Sequence, residues 1–139
     1  MYTPGKIQNT VQEMKRMSIC VLGINEIRWP QSGRCTIDDH IVYYSGTSDT
    51  QHRNGVGFVL TKETDAAVVG FIPLSDRIAM LETQASPVNI NLIQIYAPTG
   101  ESEEEVVESF YKDLGRLMEQ LRKRNVTMVM GDWNAKVGG

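Results

Sequence analysis

Three polar clusters, each placed directly after a short apolar run, hold the residues best suited to chemistry. Asn25 and Glu26 follow the first run, Tyr96 follows the second, and Asp132 and Asn134 follow the third. Ligand sites in open α/β sheets favour the carboxyl ends of strands. If the three apolar runs are strands, we expect these side chains to face a common site.

The residue types in the clusters suit the hydrolysis of a phosphodiester. Glu26 and Asp132 supply two carboxylates, Asn134 supplies an amide and Tyr96 a phenol. Mg²⁺ prefers oxygen ligands, and it binds through a few carboxylates while keeping several waters. Such a metal would polarise a phosphoryl oxygen, and a carboxylate would position or deprotonate the attacking water. The expected cofactor is Mg²⁺, with Mn²⁺ as a substitute.

Each cluster, taken alone, also has a structural interpretation. A carboxylate after a strand, such as Glu26, is most often a solvated loop residue. A tyrosine before Ala-Pro, such as Tyr96, is often a packing residue, and Gly131 before Asp132 often marks only a turn. The occurrence of all three clusters in this order favours the chemical interpretation.

The apolar spacing predicts the elements that would position these clusters. Apolar residues recur at helical spacing from Ile7 to Met17 and from Val106 to Leu121, which predicts two helices. Strands are predicted at 18–24, 41–44, 55–60, 66–72, 77–84, 88–96 and 127–130. The stretches 25–39 and 61–65 are predicted to be polar loops and turns. The short joins between the middle strands favour an antiparallel meander, within an α/β fold that has a mixed sheet.

Composition and charge exclude several classes of protein. Apolar residues make up 41% of the 139 residues and charged residues 22%, which is ordinary for a globular domain. The net charge of −3 argues against nucleic-acid binding by charge alone, so contact with DNA would depend on a metal and a few local cations. Cys20 and Cys35 provide neither a disulfide scaffold nor zinc spacing.

The hydropathy pattern bears on localisation. No apolar stretch approaches the length of a membrane span, and the first residues contain no signal-peptide core. We therefore expect an intracellular protein, nuclear or cytoplasmic, that is not secreted and has no membrane partner.

Five motifs together resemble the endonuclease/exonuclease/phosphatase superfamily. In chain order they are residues 24–29 (INEIRW), 54–57 (NGVG), 75–78 (SDRI), 95–99 (IYAPT) and 131–135 (GDWNA). The likeness is strongest to the apurinic-type endonuclease domain of non-LTR retrotransposons, especially the RTE or BovB type. It implies a DNase I-like four-layer α/β sandwich, in which two mixed sheets pack face to face with helices outside.

The resemblance also implies roles for individual residues. Glu26 matches the metal-binding glutamate, and Tyr96 matches a tyrosine near the scissile phosphate. Asp132 matches the aspartate that activates water, and Asn134 matches the asparagine that orients it. The implied partner is DNA, and the implied parent protein carries a reverse transcriptase domain.

Two family features do not match any part of this sequence. The family has a first strand, ending in an active-site asparagine, before its first helix, and a Ser-Asp-His-type motif in its second half. We therefore expect residues 1–139 to be a partial domain, truncated at both ends. His40 and His52 stand in no such motif, and we interpret both as exposed loop residues.

Two further residues are weaker candidates for the site. Arg77 could meet a phosphate, although a pairing with Asp76 or a surface role is at least as plausible. Trp133 could stack on a base, although packing under the loop is the safer interpretation.

The rival functions are an inactive remnant that only binds a partner, and a phosphodiesterase of the same superfamily that acts on a lipid or small phosphoester.

Overall fold

In the computed structural model of the chain, the structure describes residues 4–25, 31–46, 55–98 and 104–132, without the side chains of residues 4–7 and Asp132. These ranges contain helices and two β-sheets. The helices are α1 (Pro4–Met17), α2 (Lys62–Asp65) and α3 (Glu104–Gln120). The strands are β1 (Val21–Asn25), β2 (Ser32–Ile37), β3 (His40–Gly46), β4 (Gly55–Leu60), β5 (Val68–Ser75), β6 (Ile78–Thr83), β7 (Ile90–Tyr96) and β8 (Val126–Asp132).

The first sheet is antiparallel and has the strand order β1-β4-β3-β2. Strands β2 and β3 form a hairpin in which Ile37 pairs with His40. The two residues between them, Asp38 and Asp39, both have positive φ, at 46° and 61°. Positive φ at both central residues gives a turn whose twist matches that of the flanking strands.

The second sheet is mixed and has the order β5-β6-β7-β8. Strands β5, β6 and β7 form an antiparallel meander, and β8 lies parallel to β7. The strand at 55–60, which the predicted meander also included, is β4 of the first sheet. Helix α3 makes the crossover between these parallel strands, which need a long connection to run in the same direction.

Three apolar clusters hold the layers together. Helix α1 packs Val11 and Met14 on the outer face of the first sheet, and α3 packs Phe110, Leu114 and Leu117 on the outer face of the second. The inner faces meet in a cluster that contains Phe58 from one sheet and, from the other, Ala79, Leu81 and Leu92. The order helix, sheet, sheet, helix is the predicted four-layer sandwich.

Four local predictions were wrong. Residues 32–37 form β2 rather than loop, and residues 62–65 form α2 rather than a turn. The position expected to end a strand, Pro73, lies inside β5, an edge strand, where a missing N–H is tolerated. His40, expected to be an exposed loop residue, is the first residue of β3 and is only 5% exposed. His52 lies outside the described residues.

None of the helices in the described ranges is both long enough and apolar enough to cross a membrane.

Candidate active site

The strands that carry the three predicted clusters end at one side of the sandwich. In the parallel pair β7–β8, Tyr96 lies opposite Asp132. Strand β1 of the other sheet ends at Asn25, whose side chain lies 2.7 Å from that of Gln94 in β7. We call this side, marked by Asn25, Ser75, Arg77, Tyr96 and Asp132, the site edge.

Strand β8 reaches Asp132 because of the glycine before it. Gly131 pairs with Ile95 and has a φ of 127°, a conformation that L side chains rarely adopt. A Cβ atom at this position would overlap the carbonyl oxygen of Ile95. Gly131 therefore allows β8 to run close against β7 as far as Asp132. The simple-turn interpretation of Gly131 was wrong, since β8 includes both residues.

Arg77 lies in the turn between β5 and β6 and contacts Tyr96 in three ways. Its Nη1 donates to the Tyr96 carbonyl oxygen at 3.1 Å, and its guanidinium carbon lies 5.6 Å from the centre of the tyrosine ring. Its own carbonyl oxygen accepts from the Tyr96 N–H at 2.9 Å. The predicted cation and the predicted tyrosine are therefore direct neighbours.

A buried hydroxyl holds the turn that carries Arg77. The Arg77 N–H donates to Ser75 Oγ at 3.1 Å. Ser45 of β3, only 1% exposed, donates its hydroxyl to the Ser75 carbonyl oxygen at 2.5 Å. This bond joins the two sheets at the site edge, so it fixes the turn relative to both.

A cavity of about 360 Å³ adjoins this turn. It is lined by Ser75, Asp76, Arg77, Glu105, Val106, Ser109, Phe110 and Asp113. Acidic side chains outnumber the single arginine in this lining, so the cavity is poorly suited to a phosphate group.

Several predicted site residues lie outside the described part of the chain. These are Glu26, Trp133, Asn134 and the side chain of Asp132, whose backbone alone is described. Within the described ranges, no group of three or more histidine, cysteine or acidic side chains could hold a metal ion. The predicted metal-binding role of Glu26 and the roles of Asp132 and Asn134 stay predictions.

Sequence reasoning missed the polar residues that hold the strand ends. Ser45 lies just after the predicted strand 41–44 and was assigned no role, and neither was Gln94. A signal for Gln94 was present, since it is the one polar residue between Leu92 and Tyr96 in an otherwise apolar run. Polar residues in such a run need a partner when buried, and that partner could not be identified from the sequence.

Comparisons with known proteins bear on the fold. No protein-family model matches the chain. It is 42% identical over 135 residues to craniofacial development protein 2 of Bos taurus, an alignment that covers 97% of this chain and 23% of that protein. The chain thus spans about a quarter of the length of this relative.

Two solved structures share the fold. The endonuclease domain of TRAS1, a telomere-specific non-LTR retrotransposon, matches with a TM-score of 0.62 at 15% identity, over 91% of this chain and 52% of that domain. An endonuclease/exonuclease/phosphatase family protein from Leptotrichia buccalis matches with a TM-score of 0.59 at 13% identity, over 94% and 60%. The chain is therefore a homologue of one segment of craniofacial development protein 2, and it has the DNase I-like α/β fold of endonuclease/exonuclease/phosphatase proteins.

Proposed function

We propose that the site edge is part of a metal-dependent site that hydrolyses phosphodiesters and nicks DNA. The observation that carries this proposal is the pairing of Tyr96 with Asp132 beside the end of β1. The predicted site residues come from three distant parts of the chain. The strands that carry or lead to them end at the same side of the sandwich. If these residues were unrelated solvated loop residues, there would be no reason for them to lie at one side of the sandwich.

In the proposed reaction, water attacks the phosphate in line with the leaving group, and residues of this chain have separate roles in that step. Asp132 accepts a proton from the attacking water, and Asn134 orients that carboxylate. Tyr96 contacts the scissile phosphate from the neighbouring strand. Arg77, beside Tyr96, adds positive charge where negative charge develops on the phosphoryl oxygens, and Trp133 offers a surface on which a base can stack.

Oxygen donors at this edge suit a hard divalent cation. Glu26 would hold Mg²⁺, or Mn²⁺ in its place, through its carboxylate oxygens, which these ions prefer. The bound ion would supply Lewis-acid polarisation of the phosphoryl oxygen. With a net charge of −3, the chain has little general attraction for DNA, so this local charge matters all the more.

The context of the activity is taken from the comparisons. The TRAS1 domain is described as an endonuclease of a non-LTR retrotransposon, which supports DNA as the partner and a retroelement as the source. A longer parent protein with a reverse transcriptase domain, and a nuclear or cytoplasmic location, are parts of the same proposal.

A nicking assay on supercoiled plasmid tests the function. Wild-type protein with Mg²⁺ should convert supercoiled DNA to open circles, and EDTA or Asp132→Ala should abolish the conversion. Asp38→Asn, in the β2–β3 turn at the opposite end, is the matched control and should nick at the wild-type rate. Nicking that survives Asp132→Ala contradicts the proposed site. A lipid phosphodiester in the same panel tests the rival substrate class.

A second candidate function, binding without catalysis, is favoured by apolar residues on the outer strands of the second sheet. On β5, Val69, Ile72 and Leu74 are 40–55% exposed, and on β8, Val126 and Met128 are about half exposed. Exposed apolar edge strands are ready to pair with another chain. Light scattering over a concentration series distinguishes the two cases, since a monomer at all concentrations argues against self-association.

A further inference from the structure

A pair of amides, one buried and one half-buried, joins the two sheets at the site edge. Gln94 of β7 is 3% exposed and belongs to the face of the strand that packs against the first sheet. Its amide lies 2.7 Å from the amide of Asn25, the last residue of β1. The two residues are 69 positions apart and lie in different sheets.

The pair can form in two orientations. In one, Gln94 Nε2 donates to Asn25 Oδ1. When the oxygen and nitrogen of the Asn25 amide are exchanged, its nitrogen donates to the carbonyl oxygens of Ile24 and Ile95, both at 3.2 Å, and lies 2.7 Å from the Gln94 amide, whose oxygen must then face it. Ile95 belongs to β7, so the second orientation joins β1 to β7 twice.

The immediate surroundings are shaped around Gln94. A Cβ atom at Gly23 would overlap the Gln94 side chain, so Gly23 leaves the room that the amide occupies. The amide atom of Gln94 that faces Gly23 is buried and has no hydrogen-bond partner in the described part of the structure. An unsatisfied buried polar atom lowers stability, so stability alone does not account for glutamine at this position.

The position of the pair suggests its use. Gln94 pairs with Met130 of β8. Each of them lies two residues before a predicted site residue, Gln94 before Tyr96 and Met130 before Asp132. Asn25 directly precedes Glu26. The amide pair therefore ties the end of β1 to β7, beside the ends of β7 and β8.

We propose that Gln94 is a positioning residue, which acts through Asn25 to hold the end of β1, and with it Glu26, in register with Tyr96 and Asp132. This inference rests on the proposed function of the site edge. It assigns to a pair of neutral core residues a role in aligning groups that belong to two separate sheets.

The test compares Gln94→Met with Asn91→Leu. Methionine keeps the size of glutamine without its hydrogen bonds. Asn91 is the matched control, since it is also a buried amide on β7 and donates to Thr127 Oγ1 at 3.3 Å, but it lies toward the opposite end of the strand. Asn25→Ala removes the half-buried member of the pair, and it serves as the second variant if Gln94→Met does not fold.

The expected result separates positioning from a structural role. Gln94→Met and Asn25→Ala should lower kcat for nicking by about tenfold to a hundredfold with KM within about twofold, since misplacement by about 1 Å has effects of that size. Amide hydrogen exchange in residues 21–25 should become faster in both variants, and the double variant should be no worse than either single one. Asn91→Leu should leave kcat and exchange in residues 21–25 unchanged.

Two outcomes overturn the inference. One is wild-type kcat together with unchanged exchange at 21–25 in Gln94→Met, and the other is an equal loss of kcat in Asn91→Leu. If the wild-type chain does not nick DNA, the proposed function is wrong. Hydrogen exchange then tests separately whether the amide pair holds the end of β1. Faster exchange confined to the Gln94 and Asn25 variants then supports it, and unchanged exchange refutes it.

Discussion

At the end of the sandwich opposite the site edge, which we call the far edge, carboxylates are held by other side chains. Asp65 accepts from Arg34 Nη2 and from Tyr43 Oη, both at 2.6 Å. At Glu82, one oxygen accepts from Asn89 at 3.0 Å and from Asn125 at 3.2 Å. These acidic groups are used to join elements of the fold.

At the site edge, several contacts that hold the strand ends are made by neutral groups and by Arg77. Ser45 bonds a carbonyl oxygen, Gln94 bonds Asn25, and Arg77 bonds the Tyr96 carbonyl oxygen. The described residues that flank segments 26–30 and 47–54 also lie here, since Asn25 pairs with Val56 and Gly46 with Gly55. The described carboxylates of the far edge therefore serve the fold, whereas Glu26 and Asp132, which we propose for the site edge, would serve chemistry.

The charge states of two far-edge carboxylates fit a structural role. Burial raises the pKa of Asp65, but hydrogen bonds from Arg34 and Tyr43 outweigh it, so the pKa lies below its ordinary value. The hydrogen bonds from His40 and then from Lys15 hold the pKa of Asp39 below its ordinary value as well. A carboxylate held ionised by its neighbours is a poor proton acceptor, which suits a structural role.

The largest expected effect compares one glutamate from each edge. Glu26→Gln should lower the nicking rate by about a thousandfold with little change in stability, since the amide keeps the size but loses the charge. Glu82→Gln should leave the rate within about twofold and lower the free energy of unfolding by about 1 kcal/mol. Plasmid nicking and urea unfolding of both variants measure this. Equal losses of activity would abolish the distinction between the edges.

A large effect on stability is expected at Gly131. Gly131→Ala forces a Cβ atom against the Ile95 carbonyl oxygen at a φ of 127°, so it should lower the free energy of unfolding by about 3 kcal/mol and also reduce nicking. Gly115→Ala in α3 is the control, because a Cβ atom there meets nothing within 4 Å. It should raise stability by about 0.5–1 kcal/mol. Urea unfolding that shows equal stability for the two variants would contradict the close approach of β7 and β8.

The features predicted correctly from sequence are those with a local period. Helix α3 was found because Phe110, Leu114 and Leu117 recur at helical spacing, and β7 and β8 were found as apolar runs. The closeness of Tyr96 to the Gly131–Asp132 cluster followed from the tendency of sites to gather at strand ends. Each of these rests on residues near one another in the chain or on a general rule of α/β sheets.

The features missed depend on contacts between distant residues. Strand β2 is polar and only partly buried, and its hairpin turn is Asp38–Asp39 rather than the usual Asn-Gly. The buried state of His40 and the pairing of Gln94 with Asn25 arise only when layers pack. No sequence period encodes them, so the polar groups that hold the site could not be assigned.

A smaller effect is expected from the pH dependence of the far edge. Because the folded pKa of Asp65 lies below the ordinary value of 3.8, its stabilisation is present above that pH and is lost as pH falls through the folded pKa. Asp65→Asn should therefore lower the free energy of unfolding by about 1 kcal/mol at neutral pH, allowing for the half-exposed Arg34. Urea unfolding near pH 7 and at about pH 3 should show this difference shrinking in acid. A difference that does not change with pH would mean that Asp65 acts by packing alone.

The smallest expected effect concerns how Asp65 is brought into place. Thr61 Oγ1 accepts from the Thr64 N–H at 3.2 Å and so caps α2, a helix of four residues that ends at Asp65. Thr61→Ala should lower the free energy of unfolding by about 0.5–1 kcal/mol, and Thr61→Ser, which keeps the hydroxyl, should change it little. Neither change should alter nicking, since α2 lies at the far edge. If Thr61→Ala slowed nicking while leaving stability intact, the two edges would be coupled, and carboxylates at the far edge would serve catalysis as well as folding.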